Sequence, residues 1–217
     1  MHHRLAWPLM TLLLLLMVNV AFNGNFLHVE WRDRHLYGSL VDILNRAAPL
    51  ALVSLGMTLV IATRGIDISV GAVVAIAGAV AAWMIGGAVL GNVSRFPMSV
   101  AILAAVAAAL LCGLWNGLLV GWLGMQPIVA TLILMVAGRG IAQLITGGQI
   151  ITIYYSPFFF LGGGYLAGLP FSLFIVAVVF TLLYLAITRT ALGLFIQAVG
   201  INPTAARVAG VQARRLI

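Results

Sequence analysis

At 217 residues the chain is 64% hydrophobic and 7% charged, with a mean hydropathy of +1.19. Soluble domains carry about 25% charged residues, so a water-facing globular domain is excluded, and long unbroken apolar runs exclude a membrane β-barrel. What remains is an all-α, polytopic transmembrane helical bundle, whose formal charge of +7 comes from arginines scattered at the ends of apolar runs and not from a basic stripe for nucleic acid.

The first apolar run, 5–22, resembles a signal peptide but lacks a convincing small-x-small cleavage site, so it is expected to stay as the first span. Residues 23–46 are polar and near neutral, with Glu30, Asp33 and Asp42 set against Arg32, Arg34 and Arg46, and they suit the non-cytoplasmic side. A short second span is expected over 47–62, with Pro49 in its first turn, where a missing N–H does little harm. A third begins after Asp67 and ends near residue 90. A fourth covers 98–120, and Gly113 and Gly117 in it have the spacing that permits close helix packing. A fifth covers 128–145 and a sixth 171–187, making about six crossings at ~20 residues each. Between the last two, 146–170 is glycine- and aromatic-rich and is expected to fold over the outer face. Its 154–165 stretch is either an interfacial aromatic belt or a docking face. Counting from a cytoplasmic Arg4 leaves the arginine-bearing tail, 190–217, in the cytoplasm, as its excess of Arg207, Arg214 and Arg215 over acids also indicates. The single Cys112 sits in an apolar run and is expected to pack as a small apolar side chain. The histidines form no ligand-spaced cluster, and no cofactor or metal is implied.

Two polar stretches stand out. In 63–71 an arginine and an aspartate three residues apart, Arg64 and Asp67, lie between uncharged apolar runs and are bracketed by Gly65 and Gly71. Charge at a membrane boundary is costly, and a broken helix enclosed by protein is a recurring way to line a transport path. The alternative is a short interfacial turn in which Asp67 or Ser69 caps the next helix, and the two readings are compatible. In the tail, Asn202 fits an N-cap, Pro203 the first helical position and Gly210 the residue after the helix, so 204–209 is expected as a helix of under two turns. So short a helix is not stable alone, so it either docks on an acidic protein partner or lies on lipid headgroups.

Gly65-Ile66-Asp67-Ile68-Ser69-Val70-Gly71 resembles the "GIDLSVG" signature of the permease subunits of ribose- and galactose-type sugar ABC importers. Four further stretches resemble that family's motifs in the same order: Trp115-Asn116-Gly117; Gln126-Pro127-Ile128-Val129-Ala130-Thr131-Leu132; Gly138-Arg139-Gly140 with Thr146-Gly147-Gly148-Gln149-Ile150; and the run from Ala198 to Val211, which is similar to the family's coupling segment. The wording of 42–49 and 130–140 is nearest the galactofuranose branch. Arg64 stands where the family's pattern has glycine, so it is expected either to snorkel to the interface or to pair with Asp67.

The resemblance implies a bacterial inner-membrane subunit without enzymatic activity of its own. It would pair with a second permease subunit, be driven by a separate ABC-type ATPase and be supplied by a periplasmic sugar-binding protein. Residues 1–188 would be the membrane domain and 189–217 the cytoplasmic coupling segment, with Asn202, Pro203, Thr204, Ala205, Ala206, Arg207 and Gly210 facing the ATPase. Family members continue with further spans, so the chain reads as the N-terminal two-thirds of such a permease. A path for a neutral, hydroxyl-rich sugar needs hydrogen-bonding groups and aromatic faces without strong fixed charge. Asp67, Ser69, Trp115, Asn116, Gln126, Thr131 and Gln149 are the candidates, although polar residues in spans also serve as helix–helix glue. Arg139 is more readily a structural partner for a carboxylate or for carbonyls than a sugar ligand. The competing readings are a non-transporting fragment and a secondary transporter, the latter disfavoured because Asp67 is the only acid beyond residue 42.

Overall fold

The structure is a computed structural model that describes residues 3–32, 34–86 and 95–211. Its helices are α1 (His3–Phe22), α2 (Ser39–Ala62), α3 (Val70–Ile85), α4 (Met98–Gly117), α5 (Pro127–Thr146), α6 (Ser156–Gly163), α7 (Phe171–Arg189), α8 (Ala191–Ile201) and α9 (Pro203–Val208). Two small antiparallel ribbons, β1 (Glu30–Arg32) with β2 (His35–Tyr37) and β3 (Tyr165–Leu166) with β4 (Leu169–Pro170), lie in the connections. Among the described residues four helices are long and apolar enough to cross a membrane: α2, α4 with its continuation to Trp122, α5 and α7. The apolar part of α1, α3 and α8 are shorter. The chain is thus a multi-pass helical bundle, as its composition requires. The expected end of the third span, near residue 90, and Arg214 and Arg215 lie outside the described residues.

α3 is the centre. It packs along both α4 and α5, burying Ala72, Ile76, Ala79, Ala81 and Ile85. Small residues make that approach possible: a Cβ on Gly138 of α5 would stand 2.9 Å from the Ala72 methyl. Without a hydrophobic drive between helices in lipid, such close backbone contact is what holds a bundle. α2, α7 and α8 form a second group, joined to the first by the short connection between α2 and α3. By contrast, the leucines of α1 from Leu9 to Leu16 are all exposed. Its polar side chains bond back to their own helix, Thr11 to the Trp7 carbonyl and Asn19 to the Leu15 carbonyl, as a lipid-facing helix must arrange.

Three expectations need correction. α2 begins at Ser39, eight residues before position 47, because Val41 and Ala48 bury a face there and Asp42 suits the positive end of the helix. Pro49 is therefore interior to the helix and not in its first turn. The tail is more than a short stub: Thr190, whose hydroxyl accepts from the Leu192 N–H, starts an eleven-residue apolar α8 that packs on α7 and α2 before α9. Finally, α9 runs Pro203–Val208, one residue earlier than expected.

The connection 147–170 does fold back across one end of the bundle. The Leu36 N–H donates to the Gly168 carbonyl at 3.0 Å, and His35 stacks on Tyr165 at 4.2 Å, so the two ribbons meet. Burial, with the Asp42 carboxylate and Tyr37 adding to it, pushes the Tyr165 phenol above its ordinary pKa.

Candidate functional site

The site grows out of how α2 stops. The Arg64 N–H bonds the Ile61 carbonyl and the Gly65 N–H bonds the Val60 carbonyl, with Arg64 left-handed at φ 62°. This is a Schellman closure, which ordinarily places glycine at that position. An arginine there costs about 1 kcal/mol relative to glycine, which accounts for the glycine in the pattern it resembles. Gly65 comes next because a Cβ would come within 2.9 Å of the Val60 side chain. The chain then runs without helix through Ser69, the N-cap of α3.

Four of the candidate side chains hold this connection in place. Asp67 Oδ1 accepts from the Ser69 N–H at 2.7 Å and from Ser69 Oγ at 2.6 Å. One carboxyl oxygen thus serves both donors of Ser69. Ser69 is fully buried, and its Oγ in turn accepts from Asn116 Nδ2 on α4 at 2.9 Å. On the other flank, Thr131 of α5 accepts from the Ile68 N–H at 3.3 Å while donating to the Pro127 carbonyl at 2.9 Å. Asp67 therefore holds the turn before α3, although neither it nor Ser69 makes a side-chain capping bond to the helix, and Ser69 and the Ile68 N–H tie the connection to two further helices. Asn116 Oδ1 is buried and accepts no hydrogen bond from any described residue. Directly after it, Leu118–Trp122 widens into a π-helical turn, a feature common at functional positions.

Asp67, Asn116 and Thr131 line one cavity of about 350 Å³ with Arg64 and with Ile196 of α8. That volume falls in the ~300–1,000 Å³ range of small-molecule sites. Its wall combines aliphatic side chains and glycines with five polar residues, Thr63, Asn116, Thr131, one acid (Asp67) and one base (Arg64). The other three candidates lie elsewhere. Trp115 is 52% exposed on another face of α4, Gln126 is exposed at the start of α5, and Gln149 is exposed beyond the far end of α5. Arg139 is exposed, its neighbour Gly138 forming the contact with α3.

Arg64 goes where the sequence did not lead. It makes no ion pair with Asp67; its Nε donates to the Gly200 carbonyl at 2.6 Å and its Nη2 to the Ile201 carbonyl at 2.7 Å. Those carbonyls close α8, just before Asn202. The Asn202 side chain accepts from the N–H groups of Thr204 and Ala205, Pro203 takes the first helical position, and Gly210 is left-handed at φ 85° after the Ala209 C-cap. The Val211 N–H closes back on the Ala206 carbonyl, so α9 is capped at both ends, with Ala206 buried and Thr204, Ala205 and Arg207 exposed. The only signal for Arg64's partner was that a lone cation in an apolar setting needs carbonyls or a carboxylate; its actual partners lie 136 and 137 residues away.

Residues 39–217 match the family described as the permease component of branched-chain amino acid transport systems. Over 99% of its length the chain is 50% identical to the galactofuranose transporter permease protein YtfT of Escherichia coli K12, covering 62% of that protein. It is 36% identical over 98% of its length to the fructose import permease protein FruF of Bifidobacterium longum, covering 60% of it. It is 31% identical over 96% to the ribose import permease protein RbsC of Escherichia coli K12, covering 61% of it. The chain thus spans about three-fifths of the length of these relatives. No solved structure matches it. With a family match over residues 39–217 and the helical architecture that goes with it, this chain belongs to the branched-chain amino acid transport system permease component family.

Proposed function

We propose that the protein is an inner-membrane permease subunit of an ATP-driven importer for galactofuranose or a related monosaccharide. It forms part of the translocation path and couples it to a separate ABC-type ATPase, which does the hydrolysis. A second permease subunit completes the path, and a periplasmic sugar-binding protein delivers the substrate. The N-terminus and the C-terminal tail face the cytoplasm, residues 1–188 forming the membrane part and 189–217 the coupling segment. Asp67, Ser69, Asn116 and Thr131 belong to the path at the α2–α3 break, while Trp115, Gln126 and Gln149 contribute from surfaces that a second subunit or further spans would cover.

The observation that carries the reading is α9: a short helix capped at both ends, exposed on one side and fixed through α8 to the break that lines the cavity. A helix of six residues frays unless capped and docked, so this one is built to be held and moved as a unit. The cavity offers a neutral, hydroxyl-rich ligand the uncharged hydrogen-bonding side chains Thr63, Asn116 and Thr131, while its acid and base, Asp67 and Arg64, are already bonded to Ser69 and to the α8 carbonyls. The 50% identity to a galactofuranose transporter permease supports the substrate class.

The test is deletion of 204–209, or Gly210→Pro, in the intact permease reconstituted with its ATPase and binding protein. Membrane insertion is expected to persist and ATP-dependent sugar uptake to be abolished. Normal uptake by either variant removes the coupling assignment.

A further inference from the structure

We infer that Arg64 is the positioning residue that clasps the α8–α9 elbow to the α2–α3 break, so that a displacement of α9 is delivered to the cavity wall. The inference rests on the coupling role proposed for α9.

Three features of the contact make it a rigid joint. Arg64 meets two successive carbonyls, those of Gly200 and Ile201, with two different nitrogens. The fixed planar fork of a guanidinium resists rotation in a way that a single-point ammonium cannot. These carbonyls sit at the negative end of α8, where the last groups of a helix lack internal partners, so the cation both satisfies and orients them. Beneath the clasp there is no soft layer: a Cβ on Gly200 would collide with the Ala62 carbonyl, so the backbones of α8 and α2 are already in contact. On its other side, the backbone of Arg64 is locked into the end of α2 by the closure through Ile61 and Val60.

The link onward from Arg64 is equally direct. Residues 65–69 form no helix that could absorb a shift, and bonds to α4 and to α5 hold them across the bundle. One runs from Ser69, held by Asp67, to Asn116 on α4; the other runs from the Ile68 N–H to Thr131 on α5. A push on α9 thus has a continuous polar route: Asn202 cap, Gly200 and Ile201 carbonyls, Arg64, and the connection that α4 and α5 grip. Because α4 and α5 carry Asn116 and Thr131 into the cavity, movement of the elbow changes its lining. A merely structural role would also hold α8 down, so the test must read transmission and anchoring separately.

The experiment compares Arg64→Gly and Arg64→Lys with the unaltered permease, reconstituted with its ATPase and binding protein. Glycine suits the left-handed backbone, so Arg64→Gly removes the clasp without straining the turn. Hydrogen exchange over 203–208 reads anchoring, and it is expected to speed up about ten-fold or more in Arg64→Gly, the two charge-assisted bonds being lost. Sugar moved per ATP hydrolysed reads transmission, and it is expected to fall at least about five-fold in Arg64→Gly and by less in Arg64→Lys. Unchanged exchange would show that no clasp exists. Faster exchange with an unchanged ratio would reduce Arg64 to a cap for α8. If the unaltered permease moves sugar without an ATPase, the coupling role of α9 falls and the transmission claim with it, while the exchange result still reports the clasp.

Discussion

At the end where α2 breaks into α3, Arg64, Asn116 and Thr131 reach across to other elements while Asp67 holds Ser69 within the connection, and each contact is a hydrogen bond with a defined donor and acceptor. At the opposite end, among the described residues, the connections meet through the Leu36–Gly168 ribbon-to-ribbon backbone bond and through rings, His35 on Tyr165 and Trp31 against Gly168, beside one side-chain bond from the Ser172 hydroxyl of α7 to Asn45 Oδ1 of α2 at 2.6 Å. Directional polar bonds have one good geometry and lose most of their strength when strained. Ring contacts tolerate sliding and tilting at little cost. The first kind of end suits passing on a movement from a neighbouring element; the second suits a rim that adapts to whatever lies against it.

That contrast can be broken by substitution. The largest effect is expected for Gly200→Val, whose side chain would collide with the Ala62 carbonyl, a backbone atom that cannot step aside. A destabilisation of about 3 kcal/mol is expected, visible as a drop of several degrees in the thermal midpoint of the solubilised permease. An unchanged midpoint would mean that α8 does not sit tightly on α2. Next comes Asp67→Ala, which deprives the Ser69 N–H and hydroxyl of their shared acceptor. About 2 kcal/mol is expected to be lost together with most of the sugar uptake. Asp67→Asn, which keeps an acceptor oxygen but no charge, should fall between. Uptake at the unaltered rate in both would demote Asp67 from the path to a local turn residue. The smallest effect belongs to the other end. Gly168→Ala strains a backbone at φ 86° and crowds the Trp31 ring, but the ring has room to tilt. About 1 kcal/mol and near-normal uptake are expected. A loss of uptake as deep as that of Asp67→Ala would show that the two ends are not functionally distinct.

Local physics was legible in the chain wherever the cause and the effect lie within a few residues. Apolar run lengths located the apolar helices, of which four among the described residues are long enough to cross a membrane against about six expected, and Asn202, Pro203 and Gly210 marked the caps of α9 because capping is decided by neighbours in sequence. Ser69 was identifiable as the residue where α3 begins, although its side chain makes no capping bond there and donates instead to Asp67. Charge content misled at 39–46, where Asp42 and Arg46 suggested a polar loop and the buried face of Val41 and Ala48 made a helix instead. Hydropathy likewise passed over α8, whose eleven residues are too few to span and too apolar to be left in water, so its place depended on what it packs against.

What the sequence alone determined was the membrane class, the order of the apolar helices and the polar breaks between them, since these depend on how many oily residues stand in a row. What only the tertiary structure decided was the grouping: Asp67, Ser69, Asn116 and Thr131 together, Trp115, Gln126 and Gln149 apart, and Arg64 on the carbonyls of α8 in place of the nearby carboxylate. The physical reason is that a hydrogen bond depends on distance in space. A guanidinium three residues from an acid is drawn instead to the end of a helix more than a hundred residues on when folding sets two open carbonyls at its fork.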